Sequence, residues 1–215
     1  MDFGSYSNLL VQAFLLSIFY PFVEQKNDPL FLLVCLGHDM GHPGLSNKVL
    51  EKTNHCIYRL NDELSGSFLE YYHYSRFMDW LEITNLVQTY RQYLGENILA
   101  LFLATDLSNY HRYSGILYDV LHIADLGGGL WDVQVHKLIK KQLYNEFKDM
   151  GVYETQCGFV PDKTVFKLLD GENEIEFMET YLLPSLENFA EKYPAFKNDI
   201  LYQNYSNIIN SEKSE

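Results

Sequence analysis

The chain has 215 residues, 47% of them apolar and 21% charged, the proportions of an ordinary globular protein with room for a sizeable core. Its formal charge of −13 argues against general affinity for nucleic acid or for anionic membrane surfaces, since both require clustered Lys and Arg. An anionic ligand would also be repelled by that field, so it needs a local positive centre, and a bound metal ion is the simplest one.

In chain order, Leu9–Val23 is apolar enough to resemble the core of a signal peptide. No basic residue precedes it, however, and no small-x-small cleavage site follows. Shorter than a membrane span and interrupted by Gln12, it reads as a buried helix. Asp28-Pro29 supplies a cap and then a proline at the first helical position, which opens a helix over Leu30–Gly37 with Cys35 as a small core residue. Asn61-Asp62 and Ser65-Gly66-Ser67 interrupt the chain before a helix starting near Phe68. A helix over Leu81–Leu94 is separated by Gly95-Glu96-Asn97 from another over Ile98–Asp106, and Gly127-Gly128-Gly129 precedes one over Trp131–Met150. Gly151–Asp170 reads as a long loop. Helices then follow at Ile175–Leu183 and Ser185–Lys192, ending at Tyr193-Pro194, and Asn207–Glu215 reads as a polar tail. The expectation is one all-α, multi-helix compact domain over 1–206, with no internal repeat, no linker and no membrane span. The odd cysteine count (Cys35, Cys56, Cys157), without metal-ligand spacing, favours a reducing, cytoplasmic location.

The segment Gly37-His-Asp-Met-Gly-His-Pro-Gly44 carries the strongest chemical signal. His38 and Asp39 offer a nitrogen and an oxygen ligand from adjacent positions, a pairing suited to Zn²⁺ or to a Zn/Mg pair. If the helix persists, His42 lies on the same face one turn after His38, and Pro43-Gly44 ends the helix there. A second acidic ligand must come from elsewhere. Asp125 in Leu121-His-Ile-Ala-Asp-Leu126 is the natural choice, a carboxylate at the unfavourable end of a helix dipole where a nearby cation would explain it. Glu70 and His73 in Leu69-Glu-Tyr-Tyr-His73 share a helical face, and Thr105 and Asp106 fall at the end of another helix. Taken singly, each of these segments reads as structural rather than chemical.

As an ordered set, HDMGHPGLSN, LEYYH, LATDLSNYH, LHIADL and EIEFMETYLLP resemble the catalytic domain of class I 3′,5′-cyclic nucleotide phosphodiesterases, which are all-helical metal phosphohydrolases of the HD type. The resemblance runs from about Leu30 to Pro194. It implies that His38, Asp39 and Asp125 bind a tight Zn²⁺, and that Asp39 bridges to a second ion, Mg²⁺ or Mn²⁺. His42, Glu70, His73 and Thr105 would orient the waters of those ions. Water activated between two cations would open cyclic AMP or cyclic GMP to the 5′-monophosphate. Phe177, Leu107 and Glu174 would meet the nucleotide.

Several positions depart from the family's pattern. Its opening H-N-x-x-H supplies a proton donor to the leaving oxygen and a further metal ligand, whereas the first histidine here is His38. The nearest remnant places Ser7 and Val11 at those positions, while alignment of the next helix places the motif at or before Met1. Glu174 stands where the family has a purine-binding glutamine, and as a carboxylate it can only accept hydrogen bonds. Gly128 stands where an asparagine is usual. Two readings follow: an enzyme whose upstream part, with any regulatory domain, precedes this sequence, or a metal- or nucleotide-binding relative with impaired turnover.

Overall fold

A computed structural model of the chain describes residues 29–61, 66–90, 96–107, 109–126, 132–161, 172–198 and 200–213. The expectations at 7, 11, 9–23 and 127–129 lie outside them. The described residues are helical with no strand among them, and they fall into two compact units that divide after Asp125.

In the first unit, α1 (Pro29–Gly37) begins on its proline and buries Phe31, Val34 and Cys35. Two short helices follow: α2 (Asn47–Lys52), whose Val49 N–H is capped by the Ser46 hydroxyl, and α3 (Cys56–Leu60), capped by the His55 ring. The long α4 (Phe68–Ile83) buries Leu69, His73, Phe77 and Leu81, one stripe at a spacing of four. Phe77 is the centre of this core, against Phe102 at 5.4 Å between ring centroids and against the end of α1. A Cβ on Gly37 would stand only 2.5 Å from Phe77 Cδ2, so glycine alone allows the two helices to approach this closely.

A continuous helix over 81–94 does not form. The Thr84 hydroxyl donates back to the Trp80 carbonyl at 2.7 Å, and Asn85 takes a left-handed φ of 58°, a conformation asparagine tolerates, before α5 (Leu86–Tyr90) begins. Next come α6 (Glu96–Leu103), a single 3₁₀ turn at Tyr110–Arg112, and α7 (Ile116–Leu126), which buries a continuous run from Asp119 to Ala124.

In the second unit, α8 (Val133–Gln156) starts where the Asp132 carboxylate accepts from the N–H groups of Gln134 and Val135 at 2.7 and 3.0 Å. It continues past Met150, so the first part of the expected loop is helix. Buried Met150, Gly151 and Glu154 hold the last turns, and the stop is Gly158, with a left-handed φ of 82°. After α9 (Glu172–Phe177), a π-helical stretch at Met178–Leu182 runs directly into α10 (Leu183–Lys192). The π register absorbs the donor missing at Pro184 and its clash with the preceding turn.

A 3₁₀ turn at Pro194–Asn198 buries Phe196 against Phe189 at 4.8 Å, and α11 (Ile200–Glu212) closes the unit. The expected polar tail is therefore corrected for 207–212. Those residues are helix, Ile208 is 0% exposed, and Glu212 is buried in contact with Lys140 and, at 3.5 Å, His136. Polar composition hid a helix whose apolar face is narrow. Ile208→Ala is expected to cost about 2–5 kcal/mol in urea unfolding, where a residue in a loose tail would cost almost nothing.

Candidate metal centre

Directly after α1 the chain turns rather than continuing as helix. Met40 N–H donates to the Gly37 carbonyl and His42 N–H to the Asp39 carbonyl, with Gly41 at φ +76°. The expectation that His42 lies on His38's helical face is thereby corrected; a left-handed glycine between them bends the backbone. The turn aims Asp39 back toward His38.

His38 is buried, and its Nδ1 donates to the Cys35 carbonyl at 2.9 Å. That bond fixes the ring so that Nε2 faces two carboxylates, Asp125 Oδ1 at 3.2 Å and Asp39 Oδ2 at 3.6 Å. One ligand atom from each of the three residues lies within 4.8 Å of the others. Asp125 reaches this point from the C-terminal end of α7, 87 positions further along the chain than His38. The two carboxyl side chains remain 34% and 28% exposed, so an ion could exchange with solvent.

The arrangement fits a divalent cation. With ligand bonds of about 2.0–2.2 Å, two ligands on one tetrahedral ion lie roughly 3.3–3.6 Å apart, close to the two spacings that His38 Nε2 makes. A backbone carbonyl holding the other ring nitrogen is the usual support of a metal-binding histidine. In the metal-free chain a proton takes the cation's place. Burial opposes charging of His38, but Asp39 and Asp125, with the Cys35 carbonyl, outweigh it and hold the ring up at about 10. His38 is thus raised from its ordinary 6.5, so its stabilising charge is fully present below pH 6.5 and is lost as pH climbs toward 10. Stability of the metal-free protein is expected to fall across that window. Zn²⁺ uptake at pH 8 should release about one proton, measurable in weakly buffered solution.

Around this cluster, His73 Nδ1 stands 3.8 Å from Asp39 Oδ1, and the His42 and His73 rings lie 5.4 Å apart. Burial drives the His73 ring down to about 3, so it is neutral. Its Nε2 is a buried nitrogen with no hydrogen-bond partner, as expected of an atom that faces a water or ion. Glu70 is pushed up to about 7, chiefly by burial, against the lowering effect of a hydrogen bond from Asn47. Asn47 was not among the sequence's candidates, although it ends the HDMGHPGLSN motif. Nor was the cluster in which Ser67 Oγ donates to Asp106 at 2.5 Å and Asn109 Nδ2 donates to both.

Thr105 lies in the turn after α6, which stops at Leu103 and not at Asp106 as expected; its hydroxyl donates to the Phe102 carbonyl at 2.8 Å, and Leu107 is an exposed residue just beyond. Phe177 and Glu174 belong to α9 in the second unit. There the Phe177 ring lies 5.6 Å from Tyr181, while the Glu174 side chain is outside the described residues.

Comparison with known proteins places these residues in context. Residues 21–119 match the 3′5′-cyclic nucleotide phosphodiesterase family, a span that holds His38, Asp39, Glu70 and His73 and ends just short of Asp125. No curated protein matches the sequence. Among solved structures, the phosphodiesterase domain of the RhoPDE fusion protein from the choanoflagellate Salpingoeca rosetta is similar with a TM-score of 0.76 at 18% identity, over 98% of this chain and 76% of that one. The phosphodiesterase domain of Salpingoeca rosetta rhodopsin phosphodiesterase gives the same TM-score at 19% identity, over 98% and 73%. At such identities the likeness is one of fold. In sequence over residues 21–119, and in fold over nearly its whole length, this chain, helical without strands among its described residues, is similar to the class I 3′5′-cyclic nucleotide phosphodiesterase catalytic domain.

Proposed function

We propose that the chain hydrolyses a 3′,5′-cyclic nucleotide, cyclic AMP or cyclic GMP, to the 5′-monophosphate, using Zn²⁺ at His38, Asp39 and Asp125 and a second Mg²⁺ or Mn²⁺ beside Asp39. The observation that supports this most is the meeting of His38 Nε2 with the Asp39 and Asp125 carboxylates within 4.8 Å. When bound, such ions supply Lewis acidity and lower the pKa of coordinated water.

The chain's own residues would do the rest. His38, anchored through Nδ1, presents a fixed lone pair, and the two carboxylates balance a dication's charge. Asp39 turns Oδ2 toward His38 and Oδ1 toward His73, so it would be the carboxylate able to help hold a second ion. Neutral His73 can donate to or accept from a water on that side. Glu70, near 7, is suited to hold or pass a proton at neutral pH. His42 and Thr105 would complete the ordering of water. Phe177 would stack on the base, with Leu107 and Glu174 as further nucleotide contacts. The catalytic region is taken as running from 1 through the end of α11, and the odd number of cysteines without metal-ligand spacing supports a reducing, cytoplasmic setting. No described helix is long and apolar enough to cross a membrane. A regulatory domain joined upstream is part of the proposal, and the similar phosphodiesterase domain likewise belongs to a fusion protein.

The test is incubation of the chain with cyclic AMP and cyclic GMP, with Zn²⁺ and Mn²⁺, followed by ³¹P NMR. The expected product is a 5′-monophosphate whose formation stops on chelation. A folded, metal-saturated chain that leaves both nucleotides intact would contradict the proposal.

A further inference from the structure

Asn47 begins α2, and both ends of its amide are engaged on α4. Its Oδ1 accepts from the Leu69 backbone N–H at 2.8 Å, and its Nδ2 donates to Glu70 Oε2 at 3.0 Å. Leu69 N–H can only donate, so it fixes which end of the amide is oxygen and leaves Nδ2 as the one atom available to Glu70. Ser67, the residue before α4, makes no side-chain cap and is committed to Asp106 instead, so the first turn of α4 takes its cap from a different helix. Glu70 and His73 lie one turn apart on α4, and His73 is 3.8 Å from Asp39. The amide therefore does two jobs. It holds the helix start, and it aims a half-buried carboxyl on the turn next to the metal centre.

We propose that Asn47 is a positioning residue for the metal centre, orienting the Glu70 carboxyl by donating from Nδ2 while its Oδ1 caps α4. The inference rests on the functional reading above, and it identifies a group that reasoning from metal-ligand chemistry passes over.

Asp and Ala at this position separate the two jobs. Asn47→Asp keeps an acceptor for Leu69 N–H, and its charge suits a helix N-terminus, so the fold keeps its cap. It loses the donor and sets a second carboxylate against Glu70. Asn47→Ala loses both bonds. The experiment measures, on the full 215-residue chain, thermal midpoint, Mn²⁺ affinity by EPR titration, and cyclic nucleotide turnover from pH 6 to 9. Expected is a wild-type midpoint for Asn47→Asp and a lowered one for Asn47→Ala. Both should lose about 10- to 100-fold in Mn²⁺ affinity or turnover, the usual cost of disturbing a group that supports a metal site. The Asn47→Asp deficit should shrink toward pH 6, where one proton shared between the two carboxyls restores a hydrogen bond. Wild-type Mn²⁺ affinity and turnover in Asn47→Asp, with Asn47→Ala impaired in midpoint, would overturn the inference and leave the enzyme reading standing. A wild-type chain that binds Mn²⁺ without turnover, with binding weakened in Asn47→Asp, would uphold the inference and overturn the enzyme reading. A chain that does neither overturns both.

Discussion

Asp125→Ala is expected to weaken Zn²⁺ binding by more than about 100-fold, beyond the 10- to 100-fold that groups merely supporting a site cost, and to abolish hydrolysis, with any loss of stability in the metal-free chain coming from the proton that His38 then holds less tightly. The side chain is 28% exposed at the end of α7, so removing it leaves no cavity in the core. On the proposed reading, the substitution removes one of three ligand atoms and one of two charges that would balance a dication. His38 then keeps Asp39 at 3.6 Å as its remaining close carboxylate, and its hold on a proton in the metal-free chain drops as well. Asp125→Asn separates charge from shape: it preserves volume but offers a poor ligand, and should fall near the alanine variant. Competition against a chelating dye reads the affinity. Unchanged Zn²⁺ affinity in both variants would remove Asp125 from the site.

The second large effect concerns the core that carries the site. Phe77→Ala is expected to destabilise the chain by about 3–5 kcal/mol, the cost of emptying a fully buried aromatic site. Phe77 is 0% exposed between Gly37, Trp80 and Phe102. It also follows His73 by one turn on the buried stripe of α4, so the same stripe that faces Asp39 clamps the end of α1. Gly37→Ala tests that connection from the other side. Its new Cβ would collide with the Phe77 ring, costing about 1–3 kcal/mol, and would shift His38, the next residue, relative to Asp125. Zn²⁺ affinity should therefore fall more than stability does. In the double variant the clash is relieved, so the two losses should not add. Strict additivity would show that Gly37 and Phe77 are not coupled.

Much of this was legible from residue types alone. The helix at Pro29–Gly37 announced itself by its proline, and His38, Asp39 and Asp125 by ligand chemistry and a motif order that composition could not provide. What the sequence could not give is distance. Whether Asp125 meets His38 depends on how α7 and α1 pack, and no local pattern encodes that. Single residues with left-handed backbone conformations produced three of the other differences. Gly41 bends the chain after His38, Asn85 breaks a helix that periodicity joined, and Gly158 stops α8 later than Gly151 suggested. Asn47 stayed hidden because an asparagine at a helix start has a sufficient local role, while its second partner sits 23 positions away.

The most direct test of the central claim is X-ray absorption at the zinc edge on protein loaded with one equivalent of Zn²⁺. One imidazole nitrogen and two carboxylate oxygens from the chain are predicted around the ion, with water completing the shell, and one oxygen lost in Asp125→Ala. A chain that takes up no zinc, or a shell unchanged by that substitution, would contradict it.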